Sequence, residues 1–102
     1  MRGKFETGRI VVTSQVNRLM EENISFRKFV QLSIGRFLWG DWGDVSEDDR
    51  ARNEQAVKDG GRIFASYVKH GLTDGEKFEK YRIWIITEAG RILTTIMFPY
   101  EY

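Results

Sequence analysis

Ile10, Val11 and Val12 form a short β-branched run after Gly8, which predicts a first strand. Beyond it the apolar period lengthens. In QVNRLMEE, Val16, Leu19 and Met20 share one face of a brief helix, with Ser14 as its cap and Asn23 at its end. Ser25 is the next cap candidate. After it, Phe26, Phe29, Val30, Ile34, Phe37 and Leu38 recur at helical spacing, the strongest amphipathic pattern in the chain despite Gly35 inside it.

Gly40-Asp41-Trp42-Gly43-Asp44 breaks that pattern. Ser46 then opens a third helix, with Glu47, Asp48 and Asp49 in its first turn, where carboxylates favour the positive end of the helix dipole. Ala51, Gln55 and Lys58 give this helix a weak inward stripe, and Gly60-Gly61 stops it. The last third reads as sheet. Ile63–Val68 is rich in strand formers, KHGLTDGEK reads as a polar loop, and Tyr81–Thr87 and Ile92–Phe98 are the strongest strands.

A tight turn centred on Ala89-Gly90 would pair Ile86 with Leu93, Ile85 with Thr94, Trp84 with Thr95 and Ile83 with Ile96. Alternation then divides this hairpin into two faces. Tyr81, Ile83, Ile85, Ile92, Ile96 and Phe98 should meet the helices, while Lys80 and Arg82 reach solvent. Arg82, Trp84, Ile86, Leu93, Thr95 and Met97 lie on the other face, which is unusually apolar for a solvated sheet surface. It is either covered by the chain itself or by a second copy, or it is used for contact. The expected architecture is a single α+β domain over residues 1–102, an antiparallel sheet of three to four strands with two to three helices on one face.

Composition narrows the function classes. The chain has 102 residues, enough for one domain. It contains no Cys, so disulfides, thiolate nucleophiles and Cys-based zinc sites are excluded, and a reducing, cytoplasmic location is expected. The opening MRGKFETGRIVV has no long apolar run, so neither a secretory leader nor a membrane span is expected. The net charge is +1, but it is uneven: seven bases against three acids in residues 1–40, seven acids against three bases in residues 41–60. A near-neutral total disfavours both a strongly acidic DNA mimic and a strongly basic nonspecific DNA binder.

Catalytic chemistry finds little to work with. His70 is the only histidine, with no evident partner to make it a general base. No serine sits in a nucleophile-elbow motif, and no phosphate-binding glycine loop is present. The acids Asp41, Asp44, Glu47, Asp48 and Asp49 lack the EF-hand spacing, and helix-start chemistry accounts for two or three of them. Asp41 and Asp44, with Trp42 between them, remain candidates for a partner-binding patch, alongside the usual reading of Trp39 and Trp42 as the end of the core. No cofactor, metal site or enzyme activity is expected.

Five segments together carry a resemblance: Lys4–Val11 (KFETGRIV), Gly40–Asp44 (GDWGD), Glu47-Asp48 with Asn53-Glu54 and Ala56, Gly61–Tyr67 (GRIFASY), and Ile83–Tyr102 (IWIITEAGRILTTIMFPYEY). The chain resembles a family of short proteins encoded on bacterial plasmids, conjugative elements and phages. Such proteins are often labelled plasmid-related protein, and sometimes type I restriction enzyme subunit M. At the hairpin the relatives have Asp where this chain has Gly90. The methyltransferase label does not suit the chain, which is too short for a cofactor-binding domain and has Pro99 as its single proline. The resemblance implies a mobile-element setting and supplies no catalytic residues. The expectation is therefore a non-enzymatic binding protein, an anti-restriction or anti-CRISPR-like inhibitor acting on a host protein or ribonucleoprotein. The alternative is a nucleic-acid-binding accessory factor for element maintenance. Candidate contact residues are Trp84, Ile86, Leu93, Met97 and Arg82, with Trp42, Asp41 and Asp44; a homodimer is an open possibility.

Overall fold

A computed structural model describes residues 3–73 and 75–102. The elements in chain order are β1 (Arg9–Val12), α1 (Ser14–Glu22), α2 (Ile24–Leu38), α3 (Glu47–Asp59), β2 (Ile63–Thr73), β3 (Glu76–Thr87) and β4 (Leu93–Met97), followed by a 3-10 turn at Pro99–Glu101. The strands form one sheet in the order β1-β4-β3-β2. This is the expected α+β class with four strands and three helices. One pairing departs from the all-antiparallel expectation: β1 lies parallel to β4, Ile10 beside Thr94 and Val12 beside Ile96. The entire helical section separates β1 from the rest of the sheet, so no hairpin constrains its direction.

Helix boundaries follow from backbone conformation at the caps. Thr13, not Ser14, caps α1: its backbone is extended, and its Oγ1 accepts from Val16 N at 3.3 Å. Asn23, not Ser25, caps α2, accepting from Phe26 N at 2.9 Å, while its own N–H closes α1 on Leu19 O. One extended residue thus ends one helix and starts the next. Ser46 caps α3 as expected, accepting from Asp49 N at 3.0 Å, and Gly60 ends it with φ 83°.

The core lies between α1, α2 and one face of the sheet. Val16, Phe26, Val30 and Phe37 bury against Ile63, Ala65, Tyr67, Ile83, Ile85 and Ile96. Phe26 is a centre of this layer, with ring centroids 5.1 Å from Tyr81 and 5.8 Å from Phe98. The buried polar pair Thr87–Thr94 on the helix-facing side of the sheet is satisfied. Thr94 Oγ1 donates to Thr7 O at 2.7 Å, which leaves Thr87 Oγ1 to donate to Thr94 at 2.6 Å.

The final hairpin has the expected faces but another register. Ile85 pairs with Ile96 and Trp84 with Met97, two residues away from the tight-turn pairing. The turn is wider: Glu88 N bonds Leu93 O, and both Gly90 (φ 89°) and Arg91 (φ 64°) take left-handed conformations. Arg91, within this turn, bonds the Ala56 carbonyl near the end of α3 through its guanidinium, which lies 5.4 Å over the Phe5 ring. A slip of two residues preserves which face each side chain occupies, whereas a slip of one would have inverted it. Ile92 falls in the turn and is exposed, not core.

Two further expectations need correction. The KHGLTDGEK segment is not a loop. β2 runs to Thr73 and β3 begins at Glu76, so the described part is a two-stranded ribbon, while residue 74 lies outside the described residues. The inward positions of α3 are Asn53 and Ala56, not Ala51, Gln55 and Lys58. The reason is that α3 flanks the edge of β2. Asn53 Nδ2 donates to Phe64 O at 2.7 Å and its Oδ1 accepts from Phe64 N at 3.1 Å, so an amide meets a strand edge where an apolar residue would leave both groups unpaired.

Asn53→Ala should therefore cost about 2–4 kcal/mol, since it strands a backbone donor and acceptor. Ser46→Ala, which removes only an exposed cap, should cost about 1 kcal/mol. Urea unfolding of both variants measures the difference; equal costs would show that Asn53 does not seal the edge.

Candidate binding face

All three helices leave the second sheet face uncovered. By alternation from the observed registers it carries Phe64 and Ser66 of β2, Arg82, Trp84 and Ile86 of β3, Leu93, Thr95 and Met97 of β4, and Val11 of β1. Ile86 is buried, yet it stands apart from the cluster between sheet and helices. It forms a floor beneath its neighbours and is not itself a contact residue. Phe64, Trp84, Leu93 and Met97 are half-buried. The Trp84 ring meets Phe64 edge to face at 5.0 Å and Tyr102 at 5.6 Å. Tyr102 arrives here from the 3-10 turn, which Glu101 anchors by accepting from Phe98 N at 2.8 Å and Thr13 Oγ1 at 2.9 Å. Arg62 donates to the Tyr102 hydroxyl at 3.1 Å and lies over its ring.

Arg82 forms the rim. Its guanidinium reaches Ser66 Oγ at 2.7 Å, Asp44 Oδ2 at 2.8 Å and Glu79 Oε1 at 2.8 Å. The hydrogen bond from Arg82 holds the Glu79 carboxyl below its ordinary range, and Glu79 in turn raises Arg82. These three partners fix the side chain in one place, so it offers a defined edge rather than a freely moving charge.

Of the two readings of the GDWGD loop, the core reading holds for Trp42 and the partner-contact reading does not. Trp42 is fully buried, so it is a core residue and not a partner contact. Its ring packs on Phe5 and Phe37, and its Nε1 donates to Glu54 at 2.8 Å. Trp39, by contrast, is 59% exposed. Asp41 takes a bidentate pair from Arg36, at 2.7 and 3.2 Å, and also accepts from Gly43 N. Its carbonyl accepts from the buried Tyr67 hydroxyl at 2.7 Å, and burial raises the Tyr67 phenol well above its ordinary pKa. Gly43 sits at φ 75° against β2, where a Cβ would strike the Ser66 carbonyl and the Tyr67 ring. Asp44 N donates to Ser66 O at 2.7 Å, and Ser66 N donates to Trp42 O at 3.1 Å. The acids of this loop are thus staples within the chain. Asp44 alone also borders the open face, through Arg82.

The structure brings Trp84, Leu93, Met97, Arg82 and Asp44 together on one surface, and separates Trp42 and Asp41 from it. Sequence reasoning missed Phe64, Arg62 and Tyr102. Phe64 was accessible in principle, because strand alternation opposite Ile86 places it on this face. Tyr102 carried no signal, since its position depends on a turn that bends the chain around the end of the sheet. His70 lies exposed on β2. Among the described residues, no three side chains of metal-ligating type gather in a way that could hold an ion. Nor is any helix there long and apolar enough to cross a membrane. No family model, curated protein or solved structure matches the chain.

The Arg36 hydrogen bond depresses the Asp41 pKa, with burial opposing it. A depressed carboxylate contributes stability that is full above its unfolded pKa, about 4, and is lost as pH falls through the lower folded value. Asp41→Asn should therefore melt lower than the parent at pH 7. The gap should begin to narrow as pH falls below about 4 and close once pH is below the depressed folded value, where both proteins carry a neutral group there. Melting curves between pH 2 and 7 check this; a gap independent of pH would assign the Asp41 effect to shape alone.

Proposed function

We propose that this chain is a non-enzymatic binding protein of a mobile genetic element. It acts in the cytoplasm by docking the helix-free sheet face onto a host protein or ribonucleoprotein of a defence system, as an anti-restriction or anti-CRISPR-like inhibitor. The observation that carries the binding mode is the Phe64–Trp84–Tyr102 cluster with Met97, set on a rigid sheet and rimmed by the fixed Arg82. Rigid aromatics beside an arginine give large contact area at low entropy cost, which is the composition of binding hot spots. A sheet face turned to water is ordinarily polar, so an apolar one asks for a partner. The setting and the class of host target rest on the resemblance to plasmid-related proteins.

A protein surface suits this face better than a nucleic-acid backbone. Arg82 is already committed to Asp44 and Glu79, and Arg62 lies 3.9 Å from Glu88. Nucleic-acid affinity draws on basic groups that neutralise phosphates, and these two are balanced by acids of the chain itself.

The test is protection of a targeted phage or plasmid in cells carrying one defined restriction or CRISPR effector, repeated across a panel of effectors. The expected outcome is raised survival with at least one effector, cancelled by Trp84→Glu or Met97→Glu in protein that still melts cooperatively. Survival unchanged across the panel would overturn the anti-defence reading. Protection that both variants retain would move the contact away from this face. Binding to nucleic acid alone that is lost steeply with salt would favour the nucleic-acid alternative.

A further inference from the structure

β4 ends at Met97, opposite Trp84, so the first part of β3, Glu76–Ile83, has β2 on one side and, among the described residues, no strand on the other. A two-stranded ribbon is marginal in water, and an open strand edge is a template for another strand. This ribbon also exposes apolar side chains: Leu72 at 71% and Phe78 at 46%, the latter lying over Gly71. The order of charges along the open edge identifies what fits it. Glu76-Lys77-Phe78-Glu79-Lys80 reverses sign about Phe78. Laid antiparallel against itself with Phe78 at the centre, the segment places Lys77 opposite Glu79 and Phe78 opposite Phe78, on the ribbon side of the register shift that leaves Lys80 without a partner on β2.

We propose that the open edge of β3 is a self-recognition site, at which a second copy of this chain pairs antiparallel about Phe78 to form a two-fold dimer with a continuous sheet. Opposite charges and paired aromatics directly across an antiparallel pair are favourable, and a one-residue slip would bring like charges together. A two-fold axis uses each contact twice, so Lys77 meets Glu79 at two places. Beside this edge a cleft of about 670 Å³ opens between α1 and β3, lined by Leu19, Tyr81, Phe98 and Tyr100. The contact shares Glu79 with the Arg82 rim, where that carboxylate also accepts from the guanidinium, so Lys77→Glu is the variant that leaves the rim intact.

Sedimentation from about 1 µM to about 1 mM protein tests it. The parent should show a concentration-dependent monomer–dimer equilibrium. Lys77→Glu and Glu79→Lys should each weaken it by at least about tenfold, because each places like charges at two contacts. Mixing the two variants should restore dimer as a heterodimer, since Glu at position 77 of one then meets Lys at position 79 of the other. The double variant should dimerise alone. Lys77 is exposed, so Lys77→Glu should keep the fold, and melting curves verify this. A parent that stays monomeric throughout overturns the proposal. So does a dimer indifferent to both charge changes, or a mixture that does not recover.

Discussion

The structure depends on how the outer edge of β2 is closed. A strand at the margin of a sheet carries backbone donors and acceptors that must be paired if they are to be buried. Here two consecutive outward-facing residues are served by two different devices: Asn53 takes both groups of Phe64, and the Trp42–Asp44 backbone takes both groups of Ser66. Much else follows from that closure. Gly43 must be glycine because it lies against the strand. With the loop held there, the Trp42 ring enters the core, and Asp41 bonds back to Arg36 at the end of α2. Asp44 is left beside Arg82, on the surface that meets solvent.

The same closure explains why one face of the sheet stays open. α1 and α2 fill one side, and the polarity of α3 suits it to an edge rather than to a second layer. Asn53 and Ala56 are its buried residues, and a helix with so narrow an inward stripe offers no apolar surface to spread over a sheet. The helix-free face is therefore roofed only by its own side chains and by Tyr102. Its aromatic cluster is rigid because the strands beneath it are anchored on the other side by the core, and Ile86 supplies a dry floor. Arg82 links this face to the closed edge through Asp44 and Ser66, so the shape of the rim is coupled to the loop that seals β2.

The two surfaces proposed for contact differ in kind. The Trp84 face is an apolar surface. The proposed contact at the β3 edge relies on backbone pairing and the order of charges, which makes it selective for register more than strong. The open β3 edge and the placing of Tyr102 both follow from the short β4. Its end at Met97 exposes the β3 edge, and the turn through Pro99 sends Tyr102 across to Trp84.

By itself the sequence determined the elements whose evidence is local. Alternation in β3 and β4 sorted Ile83, Ile85 and Ile96 to the core and Trp84 and Met97 to the other face. The helical spacing of Phe26, Val30 and Phe37 marked α2, and Ser46 and Gly60 bounded α3. These depend on periods and caps within a few residues, which any reading of the chain can recover. Tertiary structure alone decided the rest. The hairpin register stands two residues from the tight-turn pairing, in a wider turn where Arg91 bonds a carbonyl of α3, 35 positions earlier in the chain. Between the two readings of Trp42 the tertiary structure chose core, left Trp39 exposed, and made the flanking acids staples, with Glu54, Arg36 and Arg82 as partners. The ribbon replaced a loop because strands already fixed in the sheet continue their pairing outward into polar sequence. A side chain's face is written in its nearest neighbours; its partner is chosen by segments far away in sequence, and no local pattern encodes that distance.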